Sequence, residues 1–275
     1  MRTAPLNSDF LAHALGHCAY YDLVVRDLYA LSSNDATKLA DWVGYRLTVS
    51  EVAGEAESRD LERAWRMDPW LDAAETLDPD PPGPGGDPYT RSGYQRGHLA
   101  PLAAFVGSPA APTVNVFSNI VPQRGGLNGG PWEGVEAAVR GLVLRRAALA
   151  ESRRPAGHRG FPDRDDRAAV WVLSGPLYER PMPPLQTDVP HAVPSAFWTV
   201  VAVMDGWGPD GLRVAAFAFD QDAYFPDPLD NLTTVDDVER RSGLDLFPRL
   251  PDAVAAPLEA AADRDAARAL LFPDD

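Results

Sequence analysis

Tyr94–Pro101, YQRGHLAP, and Ser118–Arg140, SNIVPQRGGLNGGPWEGVEAAVR, decide how this chain is read. Between Tyr94 and Arg140 the chain gathers His98, Asn119, Asn128, Glu136, Arg96 and Arg140, set among apolar residues and glycines. A hydrophobic core does not call for such groups, so their concentration marks a candidate reaction site.

Each residue type suits hydrolysis of a phosphodiester by water activated beside a hard metal ion. A histidine accepts a proton near neutral pH. An asparagine carbonyl is a neutral, hard oxygen donor, suited to Mg²⁺, which keeps most of its waters and takes few protein ligands. A carboxylate nearby orients those waters, and the arginine fork matches phosphate oxygens. R-G-H alone is a weak signal, but the longer pattern is specific.

RGHLAP, then SNIVPQ, then LNGGPWEGVE resembles the signature of the DNA/RNA non-specific endonucleases, a ββα-metal nuclease family. The spacing is similar too, with Asn119 twenty-one, Asn128 thirty and Glu136 thirty-eight residues after His98. The resemblance implies His98 as general base, Asn128 as direct metal ligand and Glu136 as organiser of the metal's water shell. It implies Asn119 as a residue that shapes the site, and Arg96 and Arg140 as phosphate or transition-state contacts. Arg63-Ala64-Trp65-Arg66-Met67-Asp68-Pro69 is similar to a further family pattern and adds Arg63 to the catalytic set. Two positions depart from the family: Gln95 stands where D-R-G-H has aspartate, and Thr199 where lysine is frequent. The implied cofactor is Mg²⁺, with Mn²⁺ or another hard divalent ion as substitute. The implied substrates are DNA and RNA, gripped by the backbone without regard to sequence and cut to 5′-phosphate ends.

The resemblance also implies the fold class: α+β, a mostly antiparallel sheet flanked by helices, with a ββα-metal motif at the site. It spans about residues 19–250, leaving an N-terminal extension over 1–18 and a helical tail over 251–275, all in one nuclease domain. Export to the periplasm or the exterior is expected from the family, although the N-terminal sequence has no long apolar core or evident cleavage site. A protein inhibitor is the alternative safeguard for the cell. Monomer and homodimer are both open.

Composition sets outer bounds. With 275 residues, 45% of them hydrophobic, the chain can bury a sizeable core. No run of about eighteen apolar residues exists to span a bilayer. Cys18 is the only cysteine, which excludes an internal disulfide and a thiolate zinc cluster. A net charge of −15 sits awkwardly with a phosphate-rich substrate. Charge is segregated, however: residues 91–154 hold eight arginines against Glu133, Glu136 and Glu151, a balance of +5, which leaves −20 elsewhere. Arg145, Arg146, Arg153 and Arg154 read as an ordinary solvated helix face.

Along the chain, Ala19–Leu31 reads as a strand and hairpin with SSND as its turn, and Lys38–Thr48 as a second strand. Asp68-Pro69 reads as a turn and Thr76–Pro88 as a loop. Val114–Phe117 reads as a short strand. Trp132, Val135, Val139 and Leu142 recur at helical spacing from Trp132 to about Ala150, with Pro131 placed to start the helix. Arg153–Arg167 reads as a polar loop. Ala168–Tyr178, Ala196–Met204 and Arg213–Phe219 read as strands, Thr234–Leu250 as a helix closed by Gly243, and Ala253–Leu271 as one further helix. Two rival functions stand beside the nuclease reading. One is a catalytically impaired nuclease fold that only binds nucleic acid or a partner, and the other is a phosphodiesterase for small esters.

Overall fold

Alternation of side chains along one long antiparallel sheet sets the architecture. In the computed structural model, which describes residues 22–54, 63–81, 86–152, 168–205, 211–224 and 227–273, the strands are β1 (Asp22–Val25), β2 (Tyr29–Asn34), β3 (Leu39–Leu47), β6 (Val170–Leu177), β7 (Ala196–Met204), β8 (Leu212–Asp220) and β9 (Leu232–Thr233). They lie side by side in that order. Odd positions of β7, such as Phe197, Val201 and Val203, enter one core, while Trp198, Val200 and Ala202 enter another on the opposite face. The period of two thus gives the sheet two buried faces.

Helix α2 (Glu133–Ser152) covers the first face with Val135, Val139, Leu142 and Val143, the stripe that the helical spacing predicts. Helix α3 (Val235–Ser242) covers the second face with Val235 and Val238. The Thr234 hydroxyl caps α3 by accepting from Asp237 N at 2.9 Å, and Gly243 ends it at φ 74°, where a side chain would be strained.

β3 and β6 pair directly, from Val43↔Ser174 to Leu47↔Val170, although the whole 94–140 stretch lies between them in sequence. That excursion includes helix α1 (Val49–Val52) and a separate two-stranded ribbon, β4 (Gln95–His98) against β5 (Ile120–Gln123). The site is therefore mounted on one face of a continuous sheet.

Several sequence expectations are corrected. Val114–Phe117 forms 3₁₀ turns with one parallel bridge, Arg66↔Val116, rather than a strand. Its apolar residues enter the core without a ladder, a case that hydrophobicity alone cannot separate from a strand. The first hairpin turns after Asn34, whose Oδ1 accepts from Ala36 N and Thr37 N, so SSN belongs to β2. The alanine-rich tail is two helices, α4 (Asp252–Glu259) and α5 (Arg264–Leu271). Asp263 accepts from Asp265 N and Ala266 N and starts the second of them afresh. Arg145 and Arg146 are not a solvated face: Arg145 donates to the Leu270 and Leu271 carbonyls at 3.1 Å, and Arg146 pairs with Asp205. The loop over 153–167, with Arg153, Arg154 and His158, lies outside the described residues, as do His13, His17 and Cys18.

Asp68 is more than a turn residue. Its buried carboxylate accepts from the Arg26 guanidinium, from Ser118 Oγ and, at 2.9 Å, from Trp70 N. It thereby ties the Arg63–Leu71 segment both to the first hairpin and to the turn before β5. Removing one member of a buried pair strands the other, at a cost of about 3–5 kcal/mol. Asp68→Ala is expected to lower unfolding stability by that amount in urea titration; a change within about 0.5 kcal/mol, the range of ordinary surface substitutions, would contradict this role.

Candidate active site

His98 ends β4 with its ring half-buried, tilted against the Trp65 indole at 5.5 Å between centroids. Its Nε2 lies 2.9 Å from Oδ1 of Asn115, which is fully buried. A carbonyl oxygen can only accept, so Nε2 carries the hydrogen and Nδ1 keeps its lone pair. Burial pushes the His98 pKa down to about 4, with the Asn115 bond acting upward and the Arg63 charge downward. The imidazole is therefore a neutral proton acceptor across the physiological range. Gly97, its neighbour on β4, leaves the room that the buried Gln123 side chain fills.

Asn119 is completely buried, and all of its amide capacity faces inward. Nδ2 donates to the Ala100 and Val114 carbonyls at 3.0 and 2.8 Å, and Oδ1 accepts from Ala100 N at 2.9 Å. It clamps the chain leaving His98 to the chain that carries Asn115 and takes no part in lining the cleft. Asn128 follows the single helical turn Gly125–Leu127, where the backbone leaves helical geometry at Gly129 and Gly130 before α2 begins. Its Nδ2 donates to Gln95 Oε1 at 2.8 Å, which leaves Oδ1 facing away from that bond as a free oxygen donor. The Gln95 amide passes close to Gly125, where a Cβ would come within 2.9 Å of its Nε2.

Glu136 and Arg140 lie one turn apart on α2, both half-buried. Burial raises the Glu136 pKa to about 8, against the opposing pull of Arg140 and the Trp132 indole. A cation beside it would restore the anion at neutral pH. Arg140 Nη1 is buried without a hydrogen-bond partner, a donor prepared for an anion.

An open cleft of about 370 Å³ is lined by Arg63, Trp65, Tyr89, Tyr94, Gln95, Arg96 and Asn128, among others. Arg63 is exposed at its edge. Arg96 pairs with Asp87 and lies over the Trp65 and Tyr89 rings at 5.2 and 5.7 Å. Burial lowers its pKa, which starts high enough for the guanidinium to stay charged. Thr199, the second departure, is buried in β7, outside the cleft lining, and accepts from Ser174 Oγ at 2.9 Å.

The donor set fits a hard, hydrated divalent ion. Asn128, in the cleft lining, offers one neutral oxygen, the kind of donor such an ion takes. Among the described residues, the groups of three acidic side chains close enough to share an ion are Asp22, Asp35 and Glu75, and Asp236, Glu239 and Glu259, and neither group includes a cleft residue.

A family model described as DNA/RNA non-specific endonuclease matches residues 11–253. The chain belongs to that family. It is 35% identical to the nuclease of Serratia marcescens over 244 residues, spanning 86% of this chain and 79% of that one. It is 29% identical to the mitochondrial nuclease EXOG of Danio rerio over 81% of this chain, but spans only 60% of the EXOG protein. A chain of the crystal structure of the EndoG/EndoGI complex superposes with a TM-score of 0.68 at 20% identity, covering 92% of this chain and 96% of that one, a likeness of fold. This nuclease therefore has the mixed helix and antiparallel-sheet architecture that the motifs imply.

Two partners of this nuclease's site went unseen in the sequence. Asn115 sits in an apolar run, TVNVF, where a lone polar residue was the available signal. Gln95 was legible as a departure, but its hydrogen bond to Asn128 was not. His191 accepts from Leu185 N at 3.0 Å and holds a loop.

Two outcomes follow from these bonds. The acid limb of kcat/KM should fall near pH 4 in the native enzyme, because His98 binds its proton only there. Asn115→Asp should move the limb upward, since a carboxylate stabilises the imidazolium. A native limb at pH 6.5, unmoved in the variant, would contradict the assignment. Gln95→Ala should weaken Mn²⁺ binding by about tenfold in a paramagnetic-resonance titration, in keeping with the loss of a group that orients a ligand. Gln95→Glu, which still accepts from Asn128, should bind at least as tightly as the native protein. Equal affinity in Gln95→Ala and the native protein would exclude this orienting role.

Proposed function

We propose that the enzyme is a Mg²⁺-dependent endonuclease that cleaves DNA and RNA without regard to sequence and leaves 5′-phosphate ends. The observation that carries this reading is the pair of oriented groups joined through β4. His98 holds a free Nδ1 because Asn115 takes Nε2–H, and Asn128 holds a free Oδ1 because Gln95, three residues before His98, takes its amide hydrogen.

In this reading His98 Nδ1 removes a proton from water, whose oxygen bonds to phosphorus as the bond from phosphorus to the 3′ oxygen breaks. Arg140 and Arg63 offset charge on the phosphoryl oxygens, while Arg96, held by Asp87 and the aromatic rings, lends its charge from the cleft wall. Asn119 holds the frame. Asn128 would hold the metal, and Glu136 would order its waters. The ion, when bound, supplies charge neutralisation at the phosphoryl and leaving oxygens. Contacts limited to phosphates favour neither sugar, which supports action on both nucleic acids.

The relatives support the substrate class: the matched family is described by DNA and RNA, and the bacterial relative is named a nuclease. The structural neighbour is a complex concerned with EndoG inhibition, which supports a protein inhibitor as a partner of this chain also.

Supercoiled plasmid and single-stranded RNA should both be degraded in Mg²⁺ and left intact with chelator. His98→Ala should be slower by about 10²–10⁴-fold, the range for a lost general base. Nucleic acid shifted in a gel but never shortened would favour a binding protein. Hydrolysis of a chromogenic phosphate ester with plasmid intact would favour a small-ester enzyme.

A further inference from the structure

Tyr224 is 83% exposed, the most exposed of the large apolar side chains among the described residues. A single exposed aromatic is unremarkable by itself, but its mounting here is not that of a loose loop. Gln221, three residues earlier and fully buried, fastens the segment after β8 with three hydrogen bonds. Its Nε2 donates to the Pro122 and Pro194 carbonyls at 2.8 and 2.9 Å, and its Oε1 accepts from Arg124 N at 2.9 Å. The segment is thus pinned to the end of β5 and to the first residue of the turn that presents Asn128.

Tyr224 completes the contact by lying against that turn. A Cβ on Gly126 would sit 3.1 Å from the tyrosine Cδ2, which puts the ring edge beside the backbone two residues from Asn128. Next to it, Arg124 pairs with Asp222 at 2.9 Å and places its guanidinium 5.9 Å from the centre of the Tyr94 ring, part of the cleft lining. A half-exposed arginine and an exposed aromatic face therefore follow one another outward from the cleft.

We infer that Tyr224 is a stacking platform for one unpaired base of a single-stranded nucleic acid whose neighbouring phosphate meets Arg124. The inference rests on the nuclease reading and adds a preference to it. Every base has a π-face, so a tyrosine platform is sequence-tolerant, whereas a paired base in a duplex is already stacked on its neighbours. The Arg124 contact is to phosphate and is indifferent to strandedness. The enzyme should therefore hold single strands more tightly than a contact set of arginines alone would allow. Because Tyr224 carries almost no burial, its replacement leaves folding untouched.

The test is fluorescence anisotropy in chelator with a single-stranded 2-aminopurine oligonucleotide and a blunt duplex of the same sequence. Tyr224→Ala should weaken single-strand binding by about 5- to 100-fold, the cost of one lost stack, with the duplex unchanged and 2-aminopurine quenching lost. Tyr224→Trp should bind single strands at native strength. Arg124→Ala should weaken both substrates alike and flatten the salt dependence. With Mg²⁺, Tyr224→Ala should raise KM on single-stranded RNA while kcat holds. Native single-strand affinity in Tyr224→Ala, equal losses on single strand and duplex, or no single-strand affinity in the native protein would each overturn the platform. Native cleavage of nucleic acid alongside any of those results would discard the platform alone; absence of cleavage under any divalent metal would discard the nuclease reading itself.

Discussion

The Asn119 side chain is the constraint on which the site depends. Three hydrogen bonds from one buried amide join the segment after His98 to the segment that carries Asn115, and Asn119's own carbonyl accepts from Leu99 N at 3.1 Å. Without that clamp two loops with few ladder bonds of their own would have to find each other by apolar contact alone. A buried amide that leaves its partners unsatisfied costs roughly 1–3 kcal/mol for each polar group. The chain between Pro101 and Ile120 is accordingly held in one geometry, and the tautomer of His98 is a consequence of it.

Electrostatics then divides the molecule. The chain carries a net charge of −15, and many arginines are engaged in structural pairs, such as Arg180 with Asp220, Arg241 with Glu179 and Arg264 with Asp227 and Asp230. Those exposed pairs contribute little stability individually. Arg63 and Arg96, by contrast, line the cleft. Long-range attraction of a polyanion by the whole protein is weak under these conditions, so affinity has to come from short-range contacts at the site.

The strands and α2 were legible because their signals are local. Alternation gave β3, unbroken apolar runs gave β6, β7 and β8, and Trp132, Val135, Val139 and Leu142 gave the buried stripe of α2. The spacing of His98, Asn128 and Glu136 carried the family. What stayed hidden depends on contacts distant in sequence. Asp68 looked like a turn residue since nothing nearby in the chain reveals Arg26 or Ser118, and Asn115 looked like an interruption in an apolar run. Gln95 looked like a defect in the motif, and only the folded chain reveals that its oxygen receives the Asn128 amide hydrogen. The tail broke in two because a single capping aspartate, Asp263, outweighs the helix preference of the alanines around it.

The proposed metal ligand is one amide oxygen, Asn128 Oδ1, aimed by a second amide, Gln95. Anomalous scattering at the manganese edge from Mn²⁺-soaked crystals tests it directly. The expected result is a peak in direct contact with Asn128 Oδ1 and no other protein ligand. A peak at Asp236, Glu239 and Glu259 or at Asp22, Asp35 and Glu75, with none at Asn128, would contradict it.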